Sequence, residues 1–187
     1  PFYGEAGGQV GDTGVITAGA VTFAVTDTRK ADGLYLHVVH ITDGTLSVGE
    51  TVTLTVDGDR RAAIRRNHSA CHLLQAALRQ VLGTHVEQAG SYVDAERVRF
   101  DFTHFAPVTA DELARVEKLV NAEIMKAEPV TTQVMDIDEA RKTGAMMLFD
   151  DKYGKTVRVV SMGDFSREFC GGTHVASTGN IGLFRIL

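Results

Sequence analysis

Apolar and polar positions alternate along the first third of the chain in short runs that are typical of β-strands. The runs are rich in β-branched residues, and aspartate–glycine pairs, which favour tight turns, punctuate them. The predicted strands are Val15–Thr17, Val21–Thr26, Leu34–Ile41 and Thr51–Val56, with turns at Asp32–Gly33, Asp43–Gly44 and Asp57–Gly58. We therefore expect residues 1–58 to form a small, glycine-rich β-barrel-like subdomain.

The pattern changes to a helical period after this region. From Asn67 to Gly83 apolar residues recur at helical intervals, with Asn67 as a good N-cap and Gly83 as a good helix end. A capping box at Thr109–Glu112 opens a second amphipathic helix. Further predicted elements are strands at Val98–Phe102, Val130–Met135 and Thr156–Met162 and a short helix at Asp138–Lys142. The predicted fold class is α+β, with residues 59–187 forming an antiparallel sheet with packed helices.

Two short pairs of candidate metal ligands lie in this second part. His68 and His72 are four positions apart on the predicted helix, so both can face one ion. Cys170 and His174 flank Gly171–Gly172, which disfavours a helix but allows a sharp bend and a close approach to a ligand. Three imidazoles and one thiolate suit tetrahedral Zn²⁺. We expect a zinc site that the fold assembles from both pairs.

Each pair has a simpler interpretation when it is taken alone. Two histidines at the start of a helix are often capping or surface groups, and a single Cys-x-x-x-His pair is a weak metal signal. Two such pairs in one domain of this size favour zinc. A site with four protein ligands is usually structural, so the ligand set by itself predicts no reaction.

Composition indicates an ordinary soluble globular protein. The chain has 187 residues, of which 44% are hydrophobic and 23% charged, and it has no signal peptide. No apolar run approaches the ~20 residues of a membrane span. Two cysteines, one of them a candidate ligand, indicate a reducing compartment, so we expect a cytoplasmic protein. The chain opens on Pro1 and ends at Leu187 in a strand-like run, which suggests a piece of a larger protein.

Several motifs together resemble one family over essentially the whole chain. The matching stretches are residues 1–12 (PFYGEAGGQVGD), 65–74 (RRNHSACHLL), 88–91 (QAGS), 99–102 (RFDF), 144–149 (GAMMLF), 161–165 (SMGDF) and 170–174 (CGGTH). The combination is similar to the editing domain of alanyl-tRNA synthetases and to their free-standing editing relatives. The stretches 144–149 and 161–165 resemble the synthetase more than a minimal free-standing protein.

The resemblance implies a hydrolase that removes wrongly attached serine or glycine from the tRNA for alanine, within a parent synthetase. A synthetic pocket sized for alanine rejects these amino acids poorly, because such differences are worth only ~1–3 kcal/mol. A second site must then recognise the errors. The resemblance also implies that the zinc ligands are His68, His72, Cys170 and His174, and that Gln88 belongs to the editing pocket.

Two further residues carry hypotheses about this site. Position 71 matches a pocket residue that is usually threonine, so we expect Cys71, a weaker hydrogen-bonding group, to alter the discrimination of serine from alanine. The alternative is a small buried cysteine on the apolar helix face. Loss of zinc is predicted to permit a disulfide between Cys71 and Cys170.

Glu168 is our candidate to position or deprotonate water. The alternatives are a surface glutamate or a partner of a ligand histidine.

The charge balance bears on the expected RNA partner. The formal net charge of −5 argues against strong autonomous binding of nucleic acid. Arg60, Arg61, Arg65 and Arg66 nevertheless cluster before the predicted helix, and we expect them to meet phosphates of the tRNA acceptor end. A solvated basic turn is the alternative. The competing function for the whole chain is a non-catalytic, zinc-stabilised tRNA-binding module.

Overall fold

The computed structural model of the protein describes residues 1–41, 43–147 and 154–187. The elements in chain order are strands β1 (Gly14–Ala18), β2 (Val21–Ala31), β3 (Leu34–His40) and β4 (Thr53–Val56), helix α1 (Gly58–Leu82), strands β5 (Gln88–Val93) and β6 (Val98–Phe102), helix α2 (Ala110–Met125), strand β7 (Val130–Asp136), helix α3 (Ile137–Lys142), strands β8 (Thr156–Met162) and β9 (Ser166–Phe169), and a 3-10 turn at Thr178–Asn180. Antiparallel sheets and helices share the chain, so the predicted α+β class is confirmed. The end of the 144–149 motif lies outside the described residues.

The N-terminal strands form one antiparallel sheet with the order β3-β2-β1-β4. The β2–β3 hairpin turns at Asp32 and Gly33, whose φ values of 50° and 79° are left-handed, as the predicted turn requires. Phe2, Ile16 and Phe23 belong to a separate small core on this sheet. Within the described residues β3 and β4 form the two edges and do not pair, so the sheet is open and the expected barrel does not close.

Helix α1 begins well before the predicted start at Asn67. Its N-cap is Asp57, whose side chain accepts a hydrogen bond from the backbone N–H of Arg60 at 3.0 Å. The predicted start was wrong because the first turns of the helix are rich in arginine and show no clear apolar period. In addition, the pair Asp57–Gly58, which was expected to form a turn, starts the helix. His68 and His72 therefore lie on consecutive turns in the middle of a long helix.

The larger core holds α1 against the rest of the C-terminal part. β5 pairs with β6, and β7, β8 and β9 form a three-stranded antiparallel sheet in that order. The buried cluster includes Leu73 and Ala77 of α1, Val116 and Val120 of α2, and Val160 of β8. Burying a side chain of the size of valine or leucine contributes about 1.5–3 kcal/mol. This packing fixes the helix that carries both histidines.

Most of the other predicted elements are confirmed. The capping box of Thr109 and Glu112 starts α2, and β6 and β8 have the predicted bounds. β5 and β9 were not predicted, since neither segment has a clear alternation of apolar and polar residues. The division into residues 1–58 and 59–187 stays a prediction. No helix of the described ranges is long and apolar enough to cross a membrane.

Candidate metal centre

Helix α1 and the loop after β9 bring the four predicted metal ligands together. His68 and His72 come from α1, and Cys170 and His174 come from the loop. Their donor atoms all lie within 4.8 Å of one another. The Sγ atom of Cys170 lies 3.5 Å from Nε2 of His68 and 3.3 Å from Nε2 of His174. The fold thus unites the two pairs, as the sequence predicted.

Each imidazole of this cluster has a polar neighbour at its Nδ1 atom. The three contacts are His68 Nδ1 with Gln9 Oε1 at 2.6 Å, His72 Nδ1 with Glu168 Oε2 at 2.7 Å, and His174 Nδ1 with Ser69 Oγ at 3.2 Å. An imidazole held through Nδ1 can offer the lone pair of Nε2 to a metal. Among the described residues, the buried Nε2 of His72 has no hydrogen-bond partner. Metal coordination would satisfy this atom.

The loop that carries two of the ligands is held by an arginine and by a glycine. Nη1 of Arg158 donates to the carbonyl oxygens of Cys170 at 2.8 Å and of Gly172 at 2.7 Å. A Cβ atom placed on Gly172 would lie 2.1 Å from Cε1 of His68, which is far inside van der Waals contact. Glycine therefore allows the backbone to pass directly against the imidazole, the close approach that the sequence predicted.

The electrostatics of the cluster favour a thiolate beside imidazoles. Burial alone would raise the pKa of Cys170, but the nearby His72 and His68 lower it well below its usual value. Burial lowers the pKa of His174 to about 3, so this ring is neutral at neutral pH. Burial opposes the charging of His72, whereas the negative charges of Glu168 and Cys170 raise its pKa well above the usual value. The cluster could therefore hold a metal ion, which would replace the proton on His72.

Glu168 lies between the cluster and a cleft. Its side chain on β9 is buried, with Oε2 against His72 and with Oε1 accepting a hydrogen bond from the Ser166 hydroxyl at 3.3 Å. A cleft of about 270 Å³ opens beside it, and Ala76 and Met146 also line this cleft. The alternative of a surface glutamate is therefore wrong, and the contact with a ligand histidine is present.

The two residues expected in the substrate pocket lie on α1 and β5. Cys71 is buried on α1, and burial raises the pKa of its thiol above the usual value. It is a free cysteine, as is Cys170. Gln88 begins β5, and its Nε2 donates to the Ser91 hydroxyl at 3.0 Å. A Cβ atom on Gly8 would overlap Ser91, so β5 runs against the N-terminal glycine-rich segment. The roles of Cys71 and Gln88 in a pocket stay predictions.

The four arginines expected near the RNA all lie on helix α1 and not in a turn. Nη1 of Arg60 donates to a backbone carbonyl of the N-terminal segment at 2.8 Å. Arg61 forms an ion pair with the buried Asp12. Arg60 and Arg61 thus tie the N-terminal segment to α1. Arg65 and Arg66 are exposed, and their contact with phosphates stays a prediction.

Sequence reasoning missed three residues that build the cluster, namely Gln9, Ser69 and Arg158. The signal for Gln9 was a lone glutamine within a glycine-rich stretch. Ser69 adjoins a ligand in the chain, and its hydroxyl also accepts a hydrogen bond from the backbone N–H of Val175 at 3.1 Å. Arg158 is a charged residue inside the apolar strand β8, where a buried partner is the usual reason for its presence.

Comparisons with known proteins also indicate a similarity to aminoacyl-tRNA synthetases. Residues 1–60 match the family model described as tRNA synthetases class II (A), and residues 157–187 match the one described as threonyl and alanyl tRNA synthetase second additional domain. Similar relatives are alanine–tRNA ligase 1 of Lachnoclostridium phytofermentans at 58% identity, alanine–tRNA ligase of Herminiimonas arsenicoxydans at 56%, and alanine–tRNA ligase of Janthinobacterium sp. (strain Marseille) at 55%.

These alignments cover all of this chain but only part of each relative. They include 100% of the chain, 21% of the Lachnoclostridium protein and 22% of each of the other two. The chain therefore spans about a fifth of the length of the curated relatives it matches. Over its whole length, the chain is thus 55–58% identical to one segment of alanine–tRNA ligases.

Proposed function

We propose that the chain is a zinc-dependent editing domain that hydrolyses the ester of serine or glycine wrongly attached to tRNA(Ala). The supporting observation is the convergence of three imidazoles and one sulfur beside Glu168, a buried carboxylate that borders a cleft. The match of residues 157–187 to an additional domain of threonyl and alanyl synthetases adds support, because this region holds Glu168, Cys170 and His174.

The donor set favours zinc over the other common metal ions. Zn²⁺ binds cysteine sulfur and histidine nitrogen in tetrahedral sites, whereas Mg²⁺ and Ca²⁺ prefer oxygen ligands. In the proposed site the ion is held by His68, His72, Cys170 and His174. Glu168 contacts Nδ1 of His72 and so orients this ligand. When bound, zinc supplies positive charge that can polarise an ester carbonyl or a water molecule.

Glu168 has two carboxylate oxygens with different neighbours, and the proposal gives each a task. Oε2 keeps its contact with Nδ1 of His72 and so orients that ring. Oε1, which accepts a 3.3 Å hydrogen bond from the Ser166 hydroxyl, takes a proton from the water that attacks the ester. In this proposal the substrate reaches Oε1 through the cleft that Glu168 helps to line.

The substrate pocket must accept serine and glycine and spare alanine. Recognition of serine requires a group that pairs with its hydroxyl, because a pocket that only fits by size discriminates by ~1–3 kcal/mol. Gln88 and Cys71 are the residues we assign to this task. The Cys71 thiol is a weaker hydrogen-bonding group than a hydroxyl, so discrimination between serine and alanine is reduced in this chain.

The proposed partner is the acceptor end of tRNA(Ala), presented by the remainder of a parent synthetase. Arg65 and Arg66 are exposed on the helix that carries two ligands, where they can contact phosphates near the site. The net charge of −5 leaves little general attraction to RNA. Most of the affinity for tRNA therefore comes from other parts of the parent protein.

Deacylation of serine-charged tRNA(Ala) by the zinc-loaded chain tests the proposal. A general base typically contributes about 10²–10⁴-fold to the rate, so Glu168→Gln is expected to lose at least that lower factor while it keeps its zinc. Glu123→Gln is the matched control, since Glu123 on α2 is also buried but pairs with Lys126, the C-cap residue of that helix. A wild-type rate in zinc-loaded Glu168→Gln would contradict the role of Glu168.

The second candidate is a non-catalytic, zinc-stabilised tRNA-binding module. The observation in its favour is that the cluster offers four protein ligands, the number that closes a structural zinc site. This function predicts that the folded, zinc-loaded wild-type chain binds tRNA but releases no serine. It also predicts that removal of zinc unfolds the chain, which circular dichroism measures directly.

A further inference from the structure

Gln9 is a buried glutamine that joins the two halves of the metal cluster. It comes from the N-terminal segment, has no exposed side-chain surface, and lies between α1 and the loop after β9. Its Oε1 lies 2.6 Å from Nδ1 of His68 and 2.9 Å from the backbone nitrogen of Thr173. Its Nε2 donates to the Thr173 hydroxyl at 3.0 Å. One amide thus contacts a ligand of the first pair and the residue beside a ligand of the second.

The directions of these hydrogen bonds follow from a single fixed donor. The backbone nitrogen of Thr173 can only donate, so the Gln9 atom that faces it must be the carbonyl oxygen. The same oxygen faces Nδ1 of His68, so Nδ1 must carry the hydrogen in the neutral ring. The lone pair of His68 then lies on Nε2, the atom directed at the Cys170 sulfur.

The N-terminal segment is anchored on both sides of Gln9. The backbone N–H of Val93 in β5 donates to the carbonyl of Gly8 at 2.8 Å, and the N–H of Val10 donates back to the carbonyl of Val93 at 3.1 Å. Further along the segment, Asp12 is ion-paired with Arg61 of α1. A buried amide held between two such anchors has little freedom to reorient.

We propose that Gln9 is a positioning residue of the metal centre, which fixes the Nδ1–H tautomer of His68 and holds the Cys170–His174 loop in register with α1. The inference rests on the proposed zinc site and goes beyond it. In this proposal the metal site, which consists of two ligand pairs that are distant in sequence, also depends on the N-terminal segment that carries Gln9. That segment lies in the region that matches the class II synthetase model, whereas Cys170 and His174 lie in the region that matches the additional domain.

Zinc affinity, measured by competition with a chromophoric chelator, tests this role without reference to catalysis. Loss of a residue that supports a metal ligand typically costs about 10–100-fold in metal affinity, and we expect this loss in Gln9→Leu. Gln9→Glu keeps an oxygen acceptor for His68 and Thr173, so it should bind zinc nearly as tightly as wild type. Gln75→Leu is the matched control, since Gln75 is equally buried on α1 but contacts Met146.

Nuclear magnetic resonance of the metal-free wild-type chain gives a second, independent readout. Long-range ¹H–¹⁵N correlations of the imidazole should show hydrogen on Nδ1 of His68. This measurement needs no variant, so it remains decisive if Gln9→Leu does not fold. The Nε2–H tautomer in the wild type, or zinc affinity of Gln9→Leu equal to that of Gln75→Leu, would overturn the proposal.

These measurements distinguish the positioning role of Gln9 from the proposed editing function. Zinc binding and serine release by the wild type, combined with unaltered zinc affinity in Gln9→Leu, would remove the role of Gln9 and leave the proposed function intact. Absence of zinc binding in the wild type would remove the metal centre itself. A weakened zinc site in Gln9→Leu without serine release by the wild type would support the positioning role and refute the hydrolase.

Discussion

The adjacent glycines of the loop after β9, Gly171 and Gly172, provide a sharp test of the close approach of this loop to His68. Of these two glycines, only Gly172 lies against the His68 imidazole. A methyl group on Gly172 would lie 2.1 Å from Cε1 and 2.4 Å from Nδ1 of His68, and 3.0 Å from Oε1 of Gln9. A methyl group on Gly171 would meet no described atom within 4 Å, and Gly171 has no left-handed φ. The substitutions Gly172→Ala and Gly171→Ala therefore add the same methyl group to the same loop, but we expect only Gly172→Ala to weaken zinc binding.

The expected magnitude follows from the distances. Ordinary contact between carbon atoms is about 3.5 Å, so the methyl group of Gly172→Ala requires the loop and the His68 ring to separate by roughly 1.4 Å. Metal–ligand distances tolerate only about 0.2 Å, so His68 and the two ligands of the loop can no longer bind the same ion. Since loss of a mere supporting contact costs about 10–100-fold in metal affinity, we expect at least the upper value.

The assay is competition for zinc between each variant and a chelator of known affinity, with circular dichroism as the check on folding. Gly171→Ala should match the wild type. Gly172→Ala should remain folded and bind zinc far more weakly. Equal zinc affinity in the two variants would refute the claim that the loop backbone is fitted against His68.

Three further predictions concern selectivity, stability and RNA contact. Cys71→Thr should raise the ratio of serine to alanine release from charged tRNA(Ala), because a hydroxyl pairs better with the serine side chain; an unchanged ratio would count against a pocket role. Leu73→Ala removes a fully buried core side chain and should lower the free energy of unfolding by about 2–5 kcal/mol in urea titrations, with one zinc still bound. Arg65→Ala combined with Arg66→Ala should weaken tRNA binding and flatten its salt dependence by about two phosphate contacts, and an unaltered slope would exclude those contacts.

The four side chains of the candidate metal cluster were predictable because their signal is local and chemical. A pair of ligands at helical spacing and a pair around two glycines each indicate a local geometry through their spacing alone. The start of α1 was not predictable in the same way. Asn67 is a good N-cap by type, but the actual N-cap is Asp57, and the intervening arginine-rich turns show no apolar period. Tertiary contacts of Arg60 and Arg61 stabilise turns that the hydrophobic pattern does not reveal.

The residues that support the site, such as Gln9, could not be predicted from the sequence for a different reason. Gln9 lies far from His68 in sequence, and their contact depends on the path of the N-terminal segment between β5 and α1. An amide has no preferred spacing from its partner, so no periodicity indicates the contact. Glu168 was nominated as a residue two positions before Cys170, and its place on the unpredicted strand β9 explains why it reaches His72.

The dependence of serine release on the proposed zinc site is tested most directly by a titration of zinc into the metal-free chain, during which release of serine from serine-charged tRNA(Ala) is followed. The rate of serine release is expected to rise with added zinc and to level off at one equivalent, and His72→Ala is expected to show no such rise. Equal rates in the metal-free and zinc-loaded wild type, or no release by the folded, zinc-loaded wild type, would contradict it.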